Sequence, residues 1–162
     1  MVNTRQVTNR RPLRFANFGA VVRDAESLAG AERRGTLRAM GNWTLGQAIG
    51  HLAYWARAPL VGYPELPRPP WLLRVMMPLL KNGFLNKRLP AGVRIRGVAD
   101  GTLGTEKMAT DRALGELRAA LDRWANETPS RPNPILGTLT HGEWIKLNLR
   151  HAELHLSFFH PG

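Results

Sequence analysis

Apolar residues recur at helical spacing in four long stretches. From about Leu13 to Glu32, Phe15, Phe18, Val22, Ala25 and Leu28 fall three and four apart, one apolar stripe on a helix. Thr44 is a candidate N-cap for a second helix. That helix carries Leu45, Ala48, Ile49, Leu52, Trp55 and Ala56 and should stop near Pro59. A third opens at Thr105, with Ala113 or Leu114, Leu117, Leu121 and Trp124 on one side. The fourth begins at "THGE", where Thr140 and Glu143 have capping-box spacing. "YPELPRPP" reads as a break. "WLLRVMMPLLKNGFL" reads as two short apolar helices interrupted by Pro78, and "PAGVRIRGVADGTLG" and "NETPSRPNPILG" read as loops. No strand pattern is long enough to build a sheet.

Four amphipathic helices in one chain of this length predict an all-α fold, a single four-helix-bundle domain over residues 1–162. The connection between the second and third helices is about 45 residues, far beyond an ordinary bundle turn, and allows a crossover. Its apolar segment from Trp71 to Leu85 is expected to cover one end of the bundle and border a pocket mouth, with Arg74 and Lys81 on a wet edge.

The last helix carries the candidate chemistry. Trp144, Leu147, His151, Leu154 and Phe158 advance by three and four, so His151 takes a slot in the core stripe. His155 follows one turn later beside it. His51 lies at the edge of the second helix's apolar stripe, and edges of facing stripes meet inside a bundle. Two readings stay open on these residues alone: hydrogen-bonded core histidines, or ligands of one ion. Three neutral imidazoles make a facial set with open positions for water or substrate, and Zn, Ni and Fe all suit nitrogen ligands. Gln47, one turn before His51, is a candidate helper that would orient a water or His51's second nitrogen. Tyr54 is a candidate proton donor. Trp55 and Trp144 read as core or pocket wall. Gly46 and Gly50 suggest close approach beside His51 by another helix or a ligand. Glu153 reads as a solvated charge, and His141 and His160 lie outside the ligand set.

Composition narrows the chemistry. The chain has no cysteine, so disulfides, thiolate metal sites and a cysteine nucleophile are excluded. The net charge is +11, but the 23 Lys and Arg are spread along the chain with no recognition helix or zinc-finger spacing. A basic solvated surface is the reading, with no specific nucleic-acid partner. No segment reaches the length of a membrane span, and the N-terminus lacks the apolar stretch of a secretory signal, so a cytoplasmic protein that binds no membrane is expected.

"GNWTLGQAIGHLAYW", followed a hundred residues later by "ILGTLTHGEWIKLNLRHAELHLSFF", resembles the DinB superfamily of metal-dependent enzymes, in a branch of unknown function. "RRPLRF" and "LPAGVR" extend the resemblance over nearly the whole chain. The resemblance implies a four-helix bundle with a long second crossover. It also implies a divalent metal held by one histidine of the second helix and an H-x-x-x-H pair of the fourth, which fall on His51, His151 and His155. Some relatives transfer low-molecular-weight thiols and others resemble hydrolases. The implied function is a metal-dependent transferase or hydrolase that activates a thiol or water for attack on a small electrophilic substrate. The alternative is a non-catalytic metal-containing binding or sensing module. A homodimer is the remaining partner expectation.

Overall fold

The computed structural model describes residues 2–63, 71–98 and 101–162, apart from the side chains at 73, 74 and 78. Five α-helices dominate the described residues: α1 (Phe18–Arg33), α2 (Leu45–Val61), α3 (Trp71–Asn86), α4 (Thr110–Asp122) and α5 (His141–Leu156). Two short strands, β1 (Arg38–Ala39) and β2 (Phe159–His160), pair antiparallel, with Arg38 opposite His160. Most of "YPELPRPP", residues 64–70, lies outside the described residues.

The core follows from small residues on facing helices. α2 presents Ala48, Ile49, Leu52 and Ala56, and α4 presents Ala113, Leu117, Ala120 and Leu121. Alanines on both sides let these two helices pack closely along their lengths. Val21, Ala25 and Leu28 of α1 and Leu149, Ala152 and Leu156 of α5 complete the same cluster. A second cluster gathers Trp124, Leu136, Leu139 and Trp144. The Trp124 indole N–H donates to the Ala56 carbonyl at 3.0 Å, which satisfies its buried polar atom.

Capping sets the two helices that matter most. Thr44 and Gln47 form a complete capping box on α2, and Thr140 and Glu143 form one on α5. Both starts fall where the sequence predicts them. Other boundaries differ. α1 starts at Phe18 instead of Leu13, because the backbone at Phe15 is committed to α5. The Phe15 N–H donates to Glu153 Oε1 at 2.6 Å, and the Phe15 carbonyl accepts from Arg150 at 3.1 Å. α4 starts at Thr110, not Thr105, because the Leu103 and Thr105 carbonyls bond to side chains of α2. Pro59 lies inside α2, which ends at Gly62 with φ 109°. A glycine can take that conformation without strain, so it stops the helix where the proline did not. α3 likewise runs through position 78 as one element where two were expected. An internal proline removes one backbone bond but does not by itself end a helix.

Candidate metal centre

Three imidazoles converge from two helices. His51 comes from α2, and His151 and His155 come from adjacent turns of α5. One ring nitrogen of each lies within 4.8 Å of the others. His51 Nε2 is 3.2 Å from His151 Nε2. The ring centroids of His51 and His155, and of His151 and His155, are each 4.6 Å apart. His51 is buried, and the other two are half-buried.

The surroundings define the tautomer of His51. Its Nδ1 is 2.8 Å from the Leu103 carbonyl oxygen. A carbonyl can only accept, so Nδ1 carries the proton and Nε2 presents its lone pair to the cluster. Burial pushes His51 down to about 4, partly offset by the Leu103 hydrogen bond. Burial also lowers His151 and His155 well below the ordinary range, and the neighbouring imidazoles add to it. All three are therefore neutral at pH 7, the form in which imidazole binds a metal.

The histidines open onto a cavity of about 780 Å³, within the usual range for small-molecule sites. Trp43, Trp55 and Trp144 contribute to its wall, with Leu147, Leu154 and Phe84. Its polar lining includes Arg5, Arg94, Asn42, Asn133 and Asn148 but no Asp or Glu among the described residues. The predicted stripe on α5 thus faces this cavity as well as the core. Leu149, Ala152 and Leu156 pack into the core from the other side of α5, and Trp144 on the stripe is itself buried.

A model of the family described as "Protein of unknown function (DUF1569)" matches residues 7–162. The chain belongs to the DUF1569 family. Comparison with curated proteins and with solved structures finds no match.

Not every residue singled out in this DUF1569 chain reaches the cavity. Gln47 does not. Its Oε1 accepts from the Thr44 N–H at 3.1 Å and its Nε2 donates to the Thr105 carbonyl at 2.9 Å. Its amide is spent on capping α2 and holding the loop before α4, so it is not available to orient His51. Tyr54 also lies off the cavity lining and packs edge-on against Trp55. Burial raises its phenol, which does not favour proton donation at neutral pH. His141 bonds to Thr128 at 3.0 Å, away from the cluster. Glu153 is a clear departure from the sequence reading. It is only 4% exposed and pairs with equally buried Arg150 at 2.7 Å.

Gly46 and Gly50 do mark a close approach, and the neighbour is the loop before α4. A Cβ at Gly46 would run into the Met108 carbonyl oxygen, and one at Gly50 would lie 2.9 Å from Met108 Sδ. Trp43 escaped the sequence reading. Its ring stacks on His155 at 5.1 Å and 10°, and tilts against His51 at 4.9 Å. The available signal was a large aromatic directly before the N-cap of the helix that carries His51.

Proposed function

We propose that this DUF1569 protein is a metal-dependent enzyme of DinB type, with α1, α2, α4 and α5 as the four helices of the bundle. In this reading His51, His151 and His155 hold one divalent ion. The single observation that carries it is the convergence of three neutral imidazoles on the floor of a substrate-sized cavity. The His51–His151 distance supports the assignment. Nitrogens bound to one ion at roughly 2.1 Å lie about 3.0–3.4 Å apart, and the His51–His151 separation is 3.2 Å. The Leu103 carbonyl acts as the outer partner that fixes the ligand tautomer. Zn, Ni and Fe all suit this donor set.

Held by His51, His151 and His155, a divalent ion would supply Lewis acidity, lowering the pKa of a low-molecular-weight thiol or water. The chain's own residues do the rest. With no cysteine anywhere, a transferred thiol must come from the substrate. Trp43, Trp55 and Trp144 line the cavity beside the histidines and limit water there. The mostly apolar walls suit a small electrophile with an apolar body, and Arg5 and Arg94 suit a carboxylate or other acceptor on it.

The test begins with metal analysis of protein purified without an affinity tag or chelator. About one ion per chain is expected. His51→Ala, His151→Ala and His155→Ala should each lose most of it, and His141→Ala and His160→Ala should not. Thiol-conjugation and hydrolysis assays on metal-replete protein then test turnover. A full metal complement in His151→Ala, or activity unchanged after metal removal, would sink the proposal.

A further inference from the structure

Among the described residues, α3 is packed on one side only. Met77 and Phe84 lie against the cluster around Trp124 and Trp144, and Leu85 is buried. Lys81 pairs with Glu143 of α5 at 2.8 Å. The other side is open. Trp71, Leu72, Val75, Met76, Leu79 and Leu80 are all exposed, with Trp71 at 75% and Leu79 at 76%. At 100° per residue these six fall within an arc of about 180°, along roughly 14 Å of helix. Scattered exposed leucines need no explanation, but a continuous apolar half-cylinder does.

Charge narrows what covers it. Residues 71–98 contain six Lys and Arg and no Asp or Glu, in a chain of net charge +11. Lys87, Arg88, Arg94 and Arg96 are exposed, and so is Val93 in the same stretch. A second copy of the chain docked on this face through a two-fold axis would bring two acid-free cationic segments together. An anionic surface would instead neutralise them. A helix with one broad apolar face and cationic flanks is the form that lies in the interface of a bilayer. No described helix is long and apolar enough to cross a membrane, so the contact is superficial.

We infer that α3 docks this protein on an anionic lipid bilayer, its Trp71–Leu80 face at the acyl boundary and the exposed cations Lys87, Arg88 and Arg96 at the headgroups. Phe84, on the packed side of the same helix, lines the cavity, so docking brings the cavity wall within a helix diameter of the lipid.

Flotation of the full chain with vesicles tests this. Wild-type protein should float with phosphatidylcholine–phosphatidylglycerol vesicles and far less with phosphatidylcholine alone. A substantial fraction should stay bound in high salt, because the apolar contact is not screened. Leu72→Glu combined with Leu79→Glu should lower the bound fraction about tenfold, with metal content and thermal unfolding unchanged. The milder Val75→Ser with Leu79→Ser should move it the same way. Tryptophan emission should shift to the blue on vesicles, and Trp71→Phe should remove most of that shift. Equal binding by wild type and the Glu variant, or binding abolished by salt alone, would overturn the inference in favour of diffuse adhesion of a basic chain. Absence of vesicle binding would also overturn it, as would a dimer that the same variants dissociate without any lipid binding.

Discussion

The histidine cluster ties the stability of the metal-free chain to pH. Its imidazoles titrate lower in the folded state than in the unfolded chain, and His51 falls to about 4. Below about pH 6.5 the unfolded chain takes up protons that the folded chain refuses, so stability falls as pH drops from there towards about 4. Above that window these groups contribute no pH dependence. His51 alone should remove on the order of 2 kcal/mol between about pH 7.5 and about pH 5. Urea unfolding of metal-free protein at both values checks this, and equal midpoints would contradict it. A second residue-level expectation concerns the Arg150–Glu153 pair. Glu153→Ala leaves a buried guanidinium without its carboxylate and frees the Phe15 N–H, which should cost about 3–5 kcal/mol. Chemical denaturation measures it, and a loss under about 1 kcal/mol would mean that water reaches Arg150. The three histidines were legible because helical spacing is regular enough to place residues 151 and 155 on one side. Glu153 was not, because a helical wheel opposes one apolar stripe to solvent, whereas α5 is buried on more than one side.

At the scale of elements, both capping boxes were readable because their chemistry is local: a hydroxyl, a backbone N–H and a side chain three residues on. The misplaced starts of α1 and α4 depend on partners far along the chain, Arg150 and Glu153 for one and His51 and Gln47 for the other. No local pattern contains those. The same loop explains the glycines of α2. Gly46→Ala should gain about 1 kcal/mol in helix propensity yet lose about 1–3 kcal/mol to the rigid Met108 carbonyl, a net destabilisation. Gly50→Ala meets the flexible end of Met108 instead and should be close to neutral. Paired thermal melts decide this, and a more stable Gly46→Ala would show that the loop can retreat. Because Leu103 belongs to that loop, Gly46→Ala should also weaken metal retention without touching a ligand.

For the whole molecule, the net charge of +11 predicts nonspecific attraction to polyanions. DNA affinity should be weak, indifferent to sequence and lost steeply as salt rises, which a titration at two salt concentrations would show. Sequence-dependent binding at physiological salt would contradict it. The predominantly helical architecture was legible from periodicity, and a pocket walled by Trp55 and Trp144 was expected, but its size and full lining were not legible, since an empty volume leaves no periodic mark on the residues around it. α5 is where the parts of the molecule meet. One side carries His151 and His155, another holds Arg150 and Glu153 against Phe15, a third is packed through Leu149 and Leu156, and its first turn meets Lys81 of α3. A single inserted residue between Trp144 and His151 would turn one part against the other by about 100° and shift it by about 1.5 Å. Whichever half kept its place, the other would lose all its partners together. Divergence within α5 should therefore proceed by exchange of side chains at constant length, and changes in chain length should accumulate in the segments that connect α3 to its neighbours.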